Sequence, residues 1–102
     1  MFSILKKLFG NATDYKRLVS NGAIILDVRS EAEFRSGHIR SATNIPLDQV
    51  KQNIPALKKK DKPVITVCRS GVRSGMAKSV LAAAGIEAYN GGAWDALQQK
   101  IQ

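Results

Sequence analysis

Cys68 is the only cysteine of the 102-residue chain, and what surrounds it is suited to chemistry. It ends the apolar run Val64-Ile65-Thr66-Val67 and is followed by Arg69, Ser70, Gly71, Val72, Arg73 and Ser74, with a helical pattern starting at about Val72. In open α/β sheets ligands bind beyond the carboxyl ends of strands, which is where this thiol is delivered. Ser70 and Gly71 allow successive backbone N–H groups to turn inward as an anion-binding nest, and the positive end of the helix points at the same spot. A cysteine at a helix N-terminus ionises at about 3.5–7.5 in place of about 8.5, so a thiolate is expected there. Arg69 and Arg73 add forked cationic donors suited to sulfonate-like or phosphate-like oxyanions. The expected site is a nucleophile, Cys68, in a substrate-binding cradle of Arg69, Ser70, Gly71, Val72, Arg73 and Ser74. Ser70 and Gly71 enter mainly through their backbone donors.

Two chemistries use a thiolate in an anion cradle, and loop length separates them. Arg73 follows Cys68 after four residues, one fewer than in protein-tyrosine-type phosphatases. The tighter ring suits a persulfide sulfur better than a tetrahedral phosphoryl group, and no acid-bearing loop is identifiable. Other polar residues take supporting roles. Asp27 and Arg29 close the first strand on the same edge of the sheet, where they can pair or orient the loop. His38, the only histidine, reads as a hydrogen-bonded structural residue in a Gly-His-Ile turn. Trp94 is expected to pack a C-terminal helix against the sheet.

The elements that must position this loop alternate between short β-rich runs and helical patterns, which is the mark of βα units around a mostly parallel sheet. Ala23–Val28 and Val64–Val67 read as buried strands, with shorter ones at Ala42–Ile45 and Ile86–Tyr89. Helices are expected over Asp14–Ser20 with Thr13 as cap, over Glu31–Arg35 with Ser30 as cap, and from Pro46 to about Asn53. The strongest runs over Val72–Ala84 with Met76, Val80, Leu81 and Ala84 on one apolar stripe, and a last one over Trp94–Ile101. No internal repeat or linker is visible.

Composition bounds the rest. A chain of this length forms one domain with its own core. One cysteine and one histidine supply neither an intramolecular disulfide nor a Cys/His zinc cage, and the chemistry above needs no metal or organic cofactor. No apolar run approaches the roughly 18 residues of a membrane span, and a lone thiol without a secretory pattern suggests the cytoplasm. The net charge of +8 comes largely from lysines, densest in Lys58-Lys59-Lys60-Asp61-Lys62, read as a solvated turn at a strand entrance. Stacking aromatics beside arginines are missing, so a nucleic-acid partner is not expected. Residues 1–12 stand apart from a domain over 13–102. Phe2, Leu5, Leu8 and Phe9 would share a helical face beside Lys6 and Lys7, expected to pack or fray rather than to anchor in a membrane.

Beyond this, Cys68-Arg-Ser-Gly-Val-Arg-Ser74 resembles the active-site loop of the rhodanese sulfurtransferases. Asp27-Val28-Arg29, Glu33-Phe34-x-x-Gly37-His38-Ile39 and Ala42-x-Asn44-Ile45-Pro46 are similar to the family's N-terminal signature. Tyr89-Asn90-Gly91-Gly92-Ala93-Trp94 is similar to its C-terminal signature, with asparagine where aspartate is frequent. The resemblance covers about Asp14 to Gln102. It implies a rhodanese-like α/β fold, a small open, mostly parallel sheet with helices on both faces. It further implies that Cys68 takes a sulfane sulfur from a small anionic donor such as thiosulfate, as a persulfide, and passes it to cyanide or a thiol. With no second cysteine the acceptor must come from outside. The alternatives are a phosphatase or arsenate reductase on the same fold, and a non-catalytic binding module, against which the intact Cys68 argues.

Overall fold

The computed structural model describes residues 12–102; the apolar face of residues 1–11 lies outside the described residues. Elements follow in the order α1 (Tyr15–Ser20), β1 (Ile24–Asp27), α2 (Glu31–Ser36), β2 (Thr43–Asn44), two 3-10 turns (Leu47–Gln49 and Lys51–Asn53), α3 (Ile54–Lys60), β3 (Val64–Cys68), α4 (Val72–Ala83), β4 (Ala88–Ala93) and α5 (Trp94–Ile101). The strands form one parallel sheet in the order β2-β1-β3-β4, with β3 central and buried at every residue.

Alternation along the two inner strands divides the core between the faces of the sheet. Leu26, Val28, Val64 and Cys68 meet Leu57 of α3 and Ala77 and Leu81 of α4. Ile25, Ile65 and Val67 meet Leu97 of α5, with Tyr15, Leu18 and Val19 of α1 packed alongside. Cys68 therefore faces α4, and Asp27 has the parity that faces α5.

Five local expectations change. Asp14, not Thr13, caps α1, because its carboxylate accepts from the Arg17 N–H at 3.1 Å. Pro46–Asn53 forms two 3-10 turns, and the α-helix comes after them with Pro55 in its first turn. Pro lacks an N–H and is favoured where a helix needs none. Lys58, Lys59 and Lys60 accordingly form the last turn of α3, where cations suit the helix C-terminus, and the chain reverses at Asp61 with φ 52°. On α4 the buried residues are Ser74, Ala77 and Leu81, whereas Met76 is exposed. The last strand begins at Ala88 and runs through the two glycines to Ala93. The second helix is as expected, with a reciprocal capping box between Ser30 and Glu33.

The glycines in β4 have a physical cause. From Asn90 to Ala93 this strand advances three residues while β3 advances two, Thr66 to Cys68, a bulge that re-aims the strand end. A Cβ on Gly91 would stand 2.8 Å from Ile65 Cγ2 and 2.9 Å from the Thr66 carbonyl oxygen. Only glycine lets the strands approach this closely.

Candidate active site

Strand β3 delivers Cys68 to the floor of the loop, where its side chain is fully buried. Gly71, at φ 99°, reverses the chain in a conformation that disfavours side chains, and aims its N–H at the sulfur. The distances to Sγ are 3.0 Å from Gly71 N, 3.4 Å from Ser74 N and 3.3 Å from Ser74 Oγ. Ser74 lies in the first turn of α4, whose N–H groups have no partner within the helix. Burial pushes the Cys68 thiol pKa up, but the Ser74 hydroxyl and the N–H groups of Ser74, Gly71 and Ser70 together outweigh it and hold it below the ordinary thiol value. The cradle expected from the loop is thus built chiefly of neutral donors.

The two loop arginines stand differently. Arg73 forms a two-pronged ion pair with Glu33 of α2, Nη1 to Oε1 at 2.8 Å and Nη2 to Oε2 at 3.0 Å. That bond, with the Ser30 N–H, pulls the Glu33 carboxyl pKa from 4.5 down to about 2. Arg69 is exposed and lines a depression of about 410 Å³ with Arg29, Glu33, Ser36, Trp94 and Asp95. Val72 also faces solvent.

Around this mouth the supporting residues form a rigid frame. Asp27 is fully buried and accepts from Arg29 Nε at 2.9 Å and Nη2 at 2.7 Å. Arg29 Nη2 also donates to the Gly37 carbonyl at 2.7 Å, and its guanidinium lies 4.8 Å from the Trp94 ring centroid. One buried ion pair thereby ties the end of β1 to the end of α2 and the start of α5. His38 stacks on Phe34 and donates from Nδ1 to the Phe34 carbonyl at 2.6 Å.

Two residues not singled out for the site from the sequence stand in it. Glu33 pairs with Arg73, 40 positions away in the chain. Asn90 donates from Nδ2 to the Gly71 carbonyl at 3.0 Å and accepts at Oδ1 from the Ser74 hydroxyl at 2.6 Å. Their motifs were visible, but a bulge and a cross-sheet contact are what bring them to the loop. Among the described residues no group of three or more His, Cys, Asp or Glu could hold a metal ion.

Residues 11–99 match the family described as the rhodanese-like domain. The chain belongs to this family. Among curated proteins it is 46% identical over 69 residues to the uncharacterized protein YqhL of Bacillus subtilis, covering 67% of this chain and 54% of that protein. It is 38% identical over 61 residues to the thiosulfate sulfurtransferase PspE of Escherichia coli, 59% of each chain. The chain thus spans little more than half the length of these two relatives. Among solved structures, a rhodanese with anions from E. coli superposes with a TM-score of 0.66 at 33% identity over 72% of this chain and 89% of that one. The human single-domain sulfurtransferase TSTD1 superposes with a TM-score of 0.61 at 26% identity, over 80% and 87% of the two chains. Among the described residues no helix is long and apolar enough to cross a membrane.

Proposed function

We propose that this protein is a sulfurtransferase in which Cys68 carries a sulfane sulfur from a small anionic donor such as thiosulfate to a thiol or cyanide acceptor. The observation that carries this reading is the placement of Cys68 Sγ within reach of the Gly71 and Ser74 N–H groups, at 3.0 and 3.4 Å. In the first step the Cys68 thiolate attacks the outer sulfur of thiosulfate. The S–S bond of the donor breaks, its electron pair leaves with sulfite, and a cysteine persulfide forms. Arg69, which has no carboxylate bonded to it among the described residues, is the guanidinium that meets the departing anion. In the second step an outside thiolate or cyanide attacks the terminal sulfur and frees the Cys68 thiolate.

The test is intact-mass spectrometry of wild type and Cys68→Ser after incubation with thiosulfate. A gain of one sulfur atom on the wild type, removed by a reducing thiol and missing from the variant, is the expected result. No such gain on the wild type refutes the reading.

A further inference from the structure

The Ser74 hydroxyl has one proton and two claimants. Asn90 is oriented without ambiguity, because Nδ2 faces the Gly71 carbonyl, an acceptor, at 3.0 Å, and Oδ1 faces the Gly92 N–H, a donor, at 3.0 Å. Ser74 Oγ lies 2.6 Å from that same Oδ1, so in this arrangement the hydroxyl donates to Asn90. Cys68 Sγ, 3.3 Å on the other side of Ser74 Oγ, then meets oxygen lone pairs. At this contact the arrangement suits a thiol, whose S–H donates to Ser74, better than a thiolate, which keeps the Gly71 and Ser74 N–H groups but lacks the hydroxyl as a third donor.

We propose that Asn90 is a positioning residue that acts through the Ser74 hydroxyl to set how readily the Cys68 sulfur gives up its proton. When the thiol proton leaves to solvent, the hydroxyl turns from Asn90 Oδ1 to Sγ and replaces the lost S–H bond with an O–H to sulfur bond. The Ser74 proton stays on Ser74 throughout, and Asn90 opposes the turn. Thr66 holds the pivot, donating from its buried hydroxyl to the Ser74 carbonyl at 2.7 Å. The proposal rests on Cys68 being the reactive thiol of the preceding reading, and deepens it by naming what tunes that thiol.

The charged groups around this sulfur come from each neighbouring element. They are Arg69 of the loop, Arg73 of α4, whose charge is coupled to this sulfur, with Glu33 of α2, and the Asp27–Arg29 pair at the end of β1; Asp95 at the start of α5 lines the depression beside Arg69. Strand β4 places the neutral Asn90 there. None of these charges changes in Asn90→Ala or Ser74→Ala, so differences between those variants report the hydroxyl.

The experiment follows the rate of Cys68 alkylation by iodoacetamide against pH in wild type, Asn90→Ala, Ser74→Ala and the double variant. With Asn90 truncated the hydroxyl is free to serve the thiolate, and the Cys68 pKa falls by about half a unit, roughly threefold in rate below the pKa. With Ser74 already truncated the Asn90→Ala shift vanishes. Asn90→Asp keeps the side chain's shape and its acceptor for the Gly92 N–H, losing only the donor to the Gly71 carbonyl, so it supplies a second variant beside the truncation. Its carboxylate grips the hydroxyl proton harder and adds a negative charge, and the Cys68 pKa rises by about one unit; in the Ser74→Ala background only the charge's share of that rise remains. No shift in Asn90→Ala, a shift of equal size with and without the Ser74 hydroxyl, or a fall in Asn90→Asp overturns the proposal. Alkylation needs only the thiol. A chain that fails to take sulfur from thiosulfate yet shows these shifts loses the sulfur-transfer reading and keeps this one.

Discussion

Replacing Glu33 by glutamine removes one charge from the ion pair that occupies Arg73, and the consequence can be worked from the structure. The amide oxygen of the new side chain can still accept from the Ser30 N–H, so the helix cap survives. The lost interaction is the two-pronged bond at 2.8 and 3.0 Å. The Glu33 pKa in the folded chain is about 2 against an ordinary 4.5, so its stabilising contribution is complete above about pH 5 and is lost as pH falls through about 2. Taken at full strength the shift is worth about 3 kcal/mol. Both side chains are about a third exposed, 36% for Arg73 and 34% for Glu33, and solvent screening reduces this to about 1 kcal/mol. Urea denaturation from pH 7 to pH 2.5 measures it. Wild type is expected to exceed Glu33→Gln by about 1 kcal/mol at pH 7, and the gap to close as pH approaches 2. A gap that is constant with pH refutes the ion-pair account. Freeing Arg73 should also lower the KM for thiosulfate, by about fivefold if the same free energy passes to the anion.

Removing Arg29 leaves the fully buried Asp27 carboxylate without its side-chain partner, so Arg29→Ala should cost about 3–5 kcal/mol in denaturation; a loss below 1 kcal/mol would show that the pair is not structural. Gly91→Ala places a Cβ 2.8 Å from Ile65 and should cost about 1–3 kcal/mol, read as a lower melting temperature; an unchanged value would mean that the bulge yields without strain. Arg69→Ala should raise KM for thiosulfate several-fold with stability within about 0.5 kcal/mol of wild type, and an unchanged KM would remove Arg69 from anion binding. Because the donors at the Cys68 sulfur are neutral and close, its alkylation rate at fixed pH should change less than about twofold between 0.1 and 1 M salt, where screening shortens from about 10 to 3 Å. A tenfold fall would assign its activation to the arginines.

The strand that carries the nucleophile, the turn after it and the long helix are local features, and for that reason they are legible in sequence. Val64 to Val67 is too short and too β-branched for a helix, and Gly71 marks the reversal that follows. Ser30 with Glu33 likewise announces a helix start within four residues. What escapes is settled by contacts across the sheet. One exception is local: Asp14 and not Thr13 caps α1, because its carboxylate is the one that meets the Arg17 N–H. The lysine run Lys58–Lys60 looks like a turn until Leu57 is seen buried against the core, which makes α3 a helix with its charged end outward. Asn90 lies just beyond the strand expected over Ile86–Tyr89, in a glycine-rich stretch. Its pairing with Thr66 on β3, and the bulge after it, exist only once the parallel sheet has formed. The pairing of Arg73 with Glu33 joins two helices on different strand crossovers, so no spacing rule connects them.

That pairing bears on how the proposed reaction would be accelerated. Thiosulfate and sulfite are both dianions, so a clamp of two free guanidinium groups would hold substrate and leaving group about equally. Uniform binding of this kind lowers KM without speeding the chemical step, and it slows release of the product. A carboxylate on Arg73 leaves the loop with Arg69 as its cation without a bonded carboxylate, enough to guide an anion without retaining it. The neutral N–H groups act differently, because they point at the cysteine sulfur itself and respond to charge there. They stabilise the thiolate before attack and lie beside the sulfur to which the persulfide is bonded afterwards. Electrostatic preorganisation of this sort costs no rearrangement at the moment of reaction. One compensated arginine and one free arginine beside an uncharged cradle are therefore the arrangement expected of a site that must load an anion's sulfur and then let the anion go.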